Sequence, residues 1–557
     1  LTTLATLTTL TSCYQPELPA QLACGDAGSC PSGRACSLGA CVPLAQLRGF
    51  HVLALDPADG AEEVSIRSPI GVTLSAPVAV GATLEGGVVL SGPDGSAVAG
   101  STSVDATRTQ LTFTPAATLA REARHAVLVQ GLRDEAGREL ALARTSFSTR
   151  GKDWSAPTLL ETGAGAVSRP SIGITSAGVP RVAWLQDEGG VAHLFTTRLQ
   201  GGGWEVPRRI DGGTGPVTAY RLAVGTVGDT TLFWVQDDAG VASLWESHHQ
   251  AVPDSWTAPL LIEHSAVPVT DLALAMAGAT PVAVWLQGTE VWWITRSPGS
   301  ASFGMPVLLE GAPGAVGRPR ISATGTRAVA VWERRGAPTE VHGARWLLIA
   351  PFQAAERIDS GSGPAFEGVV GVGPDVDVVL WLEGVGSATR LIGRRRDPDV
   401  PWSDATVQTL APQSAARQSS APVLALGPDK SALALWQEQL GAQVDLVAAY
   451  APADAPFQAA QTLDATPSGT AVPASVAFAG SEAIAVYSRV GAAQVDLWAR
   501  RFSAATGWSA AEAIDAGAGQ VIAGAHGVAS NGQLSFVVFA QSPAGGGPAD
   551  LLATQYP

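Results

Sequence analysis

The chain is short of several residue types, and each shortage excludes something. It has five cysteines in 557 residues, and none lies beyond Cys41. The bulk of the protein therefore has no disulfides and no thiol nucleophile. Lysine occurs only at Lys152 and Lys430 and asparagine only at Asn531, so the positive charge is almost entirely arginine. This reads as the codon bias of a GC-rich genome, not as a functional choice. The formal net charge is −15, and there is no basic stripe. A nucleic-acid partner is excluded, because binding needs clustered cations to displace counterions. The one run of three basic residues, Arg394-Arg395-Arg396, is flanked by Asp397 and Asp399 and reads as a solvated strand end. His248-His249 is an isolated pair that reads as a loop. There is no metal-spaced histidine set and no Ser/His/Asp grouping, so no metal and no cofactor is expected. No apolar run reaches the roughly 20 residues that span a bilayer. The stretch 272–286 comes closest, but Pro281 interrupts it and it fits a pair of strands better.

What is present is glycine (63), proline (38) and 46% hydrophobic residues, with only 15% charged. The apolar runs are short and punctuated by Gly and Pro, which predicts many strands joined by turns. The length predicts two or three domains.

Residues 1–10 are only Leu, Thr and Ala, and Leu10-Thr11-Ser12-Cys13 follows. This resembles a bacterial lipobox, in which small residues admit the peptidase and the thiol takes the lipid. It implies a truncated signal peptide over 1–12, lipidation at Cys13 and a membrane partner through that lipid. A signal peptide cleaved without lipidation is the alternative. Tyr14 follows Cys13 where aspartate often retains lipoproteins on the inner membrane, so the outer membrane or cell surface is expected. Within 13–47, Cys24, Cys30, Cys36 and Cys41 lie among Gly, Ser and Pro. Such a segment has no core and needs staples. Four cysteines in an exported module predict two disulfides in any of three pairings. Zinc is the rival, but its cysteine pairs are usually closer. The segment is similar to short Cys-rich modules after the lipid anchor of myxobacterial surface proteins.

Residues 48–150 change character. Ile70, Val72 and Leu74 alternate with Gly71 and Thr73, and Leu111 and Phe113 flank Thr112. One face of each strand is apolar, as a two-sheet sandwich requires. Pro57 with Asp59-Gly60, Thr112-Phe113-Thr114-Pro115, Asp134-Glu135-Ala136-Gly137 and Phe147-Ser148-Thr149 resemble the SbsA-type bacterial Ig-like domain. The resemblance implies a spacer or adhesive module. His125 stands where that family usually has an aromatic residue, and is expected at the surface or rim.

Residues 151–557 repeat. An apolar strand ends in an aromatic anchor at Trp184, Trp234, Trp285, Trp332, Trp381, Trp436, Tyr487 and Phe539. The spacing of about 51 residues is that of propeller blades. A second motif, aromatic then Pro or Ala then an aliphatic pair, recurs in phase from Trp154, Trp204, Trp256, Phe303, Phe352, Trp402, Phe457 and Trp508. With a weaker strand on each side of the anchor, every repeat has four strands. The copy at Trp154 precedes the first full repeat and the last repeat lacks one, so 154–160 should pair with the final strands and close the ring. The W-x-x-P pattern resembles sialidase-like and BNR-type propellers, although no complete Asp-box is present. The fold class expected is all-β: an Ig-like β-sandwich followed by a large, about eight-bladed β-propeller.

The residues two past each anchor are polar: Gln186, Gln236, Gln287, Arg334, Glu383, Glu438, Arg489 and Gln541. Near the starts of the inner strands lie Arg169, Tyr220, Arg221, Asp271, Arg318, Arg320, Glu367 and His526. Both sets are expected at one face of the ring, either as strand ends meeting water or as a site. Arginine and glutamine there suit a glycan or a carboxylate. A sialidase needs an arginine clamp and a tyrosine nucleophile. Arg169, Arg221 and Arg318 mimic the clamp, and Tyr220 is the tyrosine near the channel. No complete Arg-Ile-Pro motif is present. The chain therefore reads as a non-catalytic surface scaffold for a glycan or a cell-surface protein. A lectin-like propeller is the alternative and a glycosidase the weakest reading.

Overall fold

The computed structural model describes residues 34–37, 40–43 and 49–557, apart from 162, 227, 251–253, 298, 299, 301, 312–314, 349, 386, 387, 412–416, 465–469, 492, 493 and 518. Cys13, Cys24 and Cys30 lie outside the described residues. A hairpin pairs Arg34–Ser37 with Ala40–Pro43 and sets the Cys36 backbone opposite that of Cys41. Cys41 is buried. Contacts divide the chain into two units, Leu1–Asp153 and Trp154–Pro557. Among the described residues there is no α-helix, and no helix long and apolar enough to cross a membrane.

The first unit is a two-sheet sandwich. One sheet orders Val52–Asp56, Ile70–Leu74, Gln110–Pro115 and Gly100–Val104; the other orders Val88–Ser91, Arg124–Val129 and Ala143–Ser148. Burial alternates along Ile70–Leu74, Gln110–Pro115, Arg124–Val129 and Ala143–Ser148, so Ile70, Val72 and Leu74 face the core with Leu111, Phe113, Val127 and Phe147. His125 is not at the surface. It is 1% exposed and stacks on Phe147 with ring centroids 5.4 Å apart, while Nδ1 lies 3.1 Å from the Ala123 carbonyl. The reason is period: His125, Val127 and Val129 are the inward positions of one strand.

The second unit is a β-propeller. Its described strands form eight antiparallel four-stranded groups. The first group is Val167–Ile174, Pro180–Glu188, Val191–Gln200 and Arg208–Arg209. The second is Val217–Val224, Thr230–Asp238, Val241–Gln250 and Leu260–Glu263. The series continues to an eighth, whose strands Gln520–Ser530, Ser535–Ser542 and Asp550–Tyr556 take Thr158–Leu159 as their fourth. Thr158 and Leu159 oppose Ala553 and Leu552, and the Leu160 amide donates to the Leu551 carbonyl at 2.9 Å. The start of the unit thus completes its last group. The first strands touch one another in a closed cycle, the eighth meeting the first. They line the axis. The stretch 272–286 falls on a strand pair, Val269–Ala277 and Thr280–Gln287.

Because the groups stack face to face, each second strand is covered on both sides. Pro180–Glu188 is buried at its first seven positions, and all eight aromatic anchors are at most 1% exposed. Burying such a ring stabilises by roughly 2–3 kcal/mol through its area.

Six of the eight residues two past the anchors do not meet water, while the side chains of Arg334 and Arg489 stay 33% and 26% exposed. Gln186, Gln236, Gln287, Glu383, Glu438 and Gln541 are buried. The indole N–H groups of Trp184, Trp234, Trp285 and Trp436 donate to Gln186, Gln236, Gln287 and Glu438 at 3.1, 3.2, 3.4 and 3.1 Å. A buried indole N–H needs such an acceptor. The same side chains reach the preceding group. Gln186 Nε2 donates to Glu161 at 3.2 Å, Arg489 pairs with Asp464 at 2.7 Å, and Arg334 pairs with Glu310. Glu161, Asp211, Glu263, Glu310, Asp359, Asp464 and Asp515 each stand seven residues after the aromatic of the second motif. Four of these acids, Glu161, Asp211, Glu310 and Asp464, reach the residue two past the next anchor and so staple neighbouring groups. His248 and His249 are likewise not in a loop: both are buried on the strand Val241–Gln250.

Candidate functional site

The first strands carry a bulge at the end nearest the anchors' exit. Pairing slips between Ser168 and Ser171, Val217 and Ala219, Val269 and Asp271, Gly317 and Arg320, and Phe366 and Val369. Four non-glycine residues in these strands are left-handed: Arg169 (φ 51°), Arg318 (φ 50°), Glu367 (φ 55°) and Ala421 (φ 49°). Left-handed backbone costs a residue with a Cβ roughly 1 kcal/mol or more and re-aims its side chain. Pro170, Pro319 and Pro422 follow three of them. Proline has no N–H, so the broken ladder leaves no donor unpaired there.

These bulges gather charge from successive groups. The Arg169 guanidinium donates to the Thr218 carbonyl of the next group. Asp271, in the third group, lies between Arg221 of the second, at 3.9 Å, and Arg320 of the fourth, at 3.4 Å. Arg318 of the fourth group pairs with Glu367 of the fifth at 2.5 Å and lies 3.7 Å from Glu333. Glu367 beside it holds the Arg318 guanidinium above its usual range. Glu333 accepts the Glu367 amide at 2.8 Å and so fixes the strained bulge. The side chains of Arg221, Arg318 and Arg320 are 43%, 43% and 40% exposed. A cavity of about 240 Å³ opens among Arg318, Arg320, Glu367, Ala421 and Pro422. The arrangement offers planar donors for a carboxylate and acids that accept from hydroxyls.

Two of the sequence candidates stand apart. Tyr220 is buried, and its hydroxyl donates to the carbonyls of Arg169 and Ala183, the latter at 2.7 Å. Burial pushes its phenol far above the ordinary tyrosine range. Its position braces the Arg169 bulge. His526 is buried in the eighth group, its Nδ1 3.2 Å from Ser475 Oγ. Sequence reasoning missed Glu333, which lies beside an anchor, one residue past Trp332. A register argument would have found it, since Gly317 opposes Glu333 at the bulge.

No curated protein sequence matches the chain. Among solved structures it is similar to a protein of unknown function from Dyadobacter fermentans, at 12% identity over 73% of this chain and 99% of that one, with a TM-score of 0.38. It is also similar to the BP39L lectin from Burkholderia pseudomallei, at 15% identity over 64% and 100%, with a TM-score of 0.39. The polysaccharide lyase Uly1 matches at 8% identity over 62% and 90%, with a TM-score of 0.40. Residues 48–149 match the bacterial Ig-like domain family.

Proposed function

We propose that this chain is a non-catalytic binding scaffold of the bacterial cell envelope, carrying a ring whose arginine-rich mouth takes a glycan or another carboxylate-bearing surface ligand. The observation that carries this reading is the half-exposed set Arg221, Arg318 and Arg320, bridged by Asp271 and Glu367 over consecutive first strands. Exposed ion pairs of this kind contribute only about 0–1 kcal/mol to stability, so these arginines are little needed as staples and stay open to a ligand. A lectin-like role is favoured within this reading, because an acidic sugar presents both a carboxylate and hydroxyls to such a set. A sialidase-like mechanism is disfavoured: the Tyr220 hydroxyl is engaged by backbone carbonyls and its phenolate is suppressed. The eight strand groups act as eight blades. Lipidation at Cys13, disulfides among Cys24, Cys30, Cys36 and Cys41, and outer-membrane display complete the proposal; the burial of Cys41 supports the stapled module.

The test is a glycan array probed with the protein and with Arg221→Ala and Arg318→Ala. Each variant is expected to lose about tenfold in affinity for any acidic glycan bound, about 1.4 kcal/mol. Binding unaffected by both changes would remove the mouth from the account. Turnover of a fluorogenic sialoside that disappears in Tyr220→Phe would replace it with an enzyme.

A further inference from the structure

The chain uses asparagine once, at Asn531, and glycine follows it. The pair lies in the turn between the first two strands of the eighth group, Gln520–Ser530 and Ser535–Ser542. The first strands run from the mouth bulges to turns of this kind, so the turns form the far end of the ring. Here the eighth turn is wedged between its neighbours. On one side a Cβ at Gly532 would come 3.3 Å from the Gly480 nitrogen of the seventh group. On the other side Asn531 Nδ2 donates to the Ser176 carbonyl of the first group at 3.1 Å, across 355 residues of sequence. Ser176 continues the series, its amide and hydroxyl donating to the Thr226 carbonyl of the second group at 3.1 and 2.7 Å. One carboxamide thus joins the last group to the first at the inner end of the closing seam.

The rest of that side chain is held as firmly. Oδ1 accepts the amides of Gln533 and Leu534 at 3.1 and 2.9 Å. Gly532 is exposed and has φ 90°, where a residue with a Cβ is strained. The turn therefore needs glycine, and glycine leaves its own nitrogen unshielded beside a carboxamide. That nitrogen is a nucleophile once solvent base takes its proton. Attack on Asn531 Cγ forms an N–Cγ bond and closes a five-membered succinimide. The Cγ–Nδ2 bond breaks, and Nδ2 takes up a proton and leaves as ammonia. Water then adds to one of the two imide carbonyls and breaks its bond to nitrogen, giving aspartate or isoaspartate. Cyclisation requires the carboxamide to turn onto the nitrogen, and three hydrogen bonds oppose that turn in the closed ring.

We propose that Asn531-Gly532 is a self-modification site gated by ring closure, a latch that fastens the seam as an amide and releases it as an acid. Opening of the seam frees the carboxamide to cyclise. The acid that results has no N–H to give the Ser176 carbonyl, and its charge faces that oxygen. Isoaspartate also adds a methylene to the main chain of a turn packed between two others. An opening captured in this way is not reversed, so the site marks rings that have opened.

The experiment ages the whole chain in mildly alkaline buffer, native and in urea, and reads the amide-to-acid change at 531 by proteolysis and mass spectrometry. The change should be about tenfold or more slower in the native chain than in urea. Gly178→Val places side-chain atoms against Leu534 and Asn531 Nδ2 and should speed the change about threefold or more while the chain stays folded. The second readout is hydrogen exchange at Leu160 and Val167, whose amides donate to the Leu551 and Ala549 carbonyls across the seam and would not respond to a change confined to the turn. Both should exchange about fivefold or more faster in Asn531→Asp. Equal rates in native and urea samples, no acid at 531 in urea, an unchanged rate in Gly178→Val, or unchanged exchange at Leu160 and Val167 would each overturn the latch. If either variant fails to fold, the native and urea rates and the aged native chain, separated from the amide form by ion exchange, still decide.

Discussion

The sandwich and the ring hide strands in different ways. In the sandwich a core strand buries one side, so Ile70–Leu74 and Arg124–Val129 alternate buried with more exposed positions, and the edge strand Gly100–Val104 buries neither. In the ring each second strand lies between two neighbouring groups, so Ser535–Ser542 is buried at every position but its last. The difference teaches that an alternating run marks a strand at the boundary of a domain and a continuous apolar run marks a strand between layers. It also governs where polar groups survive. The sandwich places them outward. The ring, having no outward side on its second strands, retains them at strand ends, where Gln186, Gln236, Gln287 and Glu438 accept from the anchors' indole N–H groups.

Several changes sharpen or break that comparison. The largest effect is expected from deleting 154–162, which removes the fourth strand of the eighth group and the buried Trp154. The ring's melting temperature should fall by about 10 °C or more, and an unchanged calorimetric trace would show that closure contributes nothing. Next is a paired lysine substitution. Val235→Lys, on a strand covered on both faces, should cost about 4 kcal/mol or more. Ala126→Lys, on the outward side of a sandwich strand, should stay within about 0.5 kcal/mol. Similar losses in urea melts would erase the distinction between the two regions. Gln236→Leu should cost about 1–3 kcal/mol, because the buried Trp234 indole N–H loses its acceptor.

The smallest effect concerns Asp515, whose carboxyl burial pushes up to about 6, with Asp496 adding repulsion. Its folded pKa exceeds its unfolded value, so the folded state binds the extra proton between about pH 4 and 6. Stability should therefore fall as pH rises through that window. Asp515→Asn should raise the melting temperature at pH 7 and leave it unchanged at pH 4. A gain of equal size at both pH values would assign the effect to packing.

The repeat was legible in the sequence because large aromatics at a fixed interval survive divergence, and the closing strand followed from counting copies. The stapling acids were equally legible and went unread, since Glu161, Asp211 and Asp464 attract attention only once the second motif is extended by seven residues. His125 was misplaced by reading residue type ahead of period. Counting back by two from Val129 and Val127 puts it inward, against Phe147. The mouth was partly legible. Arginines near strand starts are visible, but the left-handed turns that aim Arg169 and Arg318 are properties of register and leave no signature in residue type. The engagement of Tyr220 by the carbonyls of Arg169 and Ala183 depends on a neighbouring group 51 and 37 residues away, where no local pattern reaches.

The most direct test of the closed ring uses the absence of cysteine beyond Cys41. Leu159 opposes Leu552 across the closing seam, within the separation that a disulfide bridges. Leu159→Cys with Leu552→Cys should cross-link on mild oxidation, giving a product that links the two ends of the ring segment after proteolysis between them. A double variant that stays reduced while folded, or that links only between separate molecules, would contradict the closed ring and the mouth that depends on it.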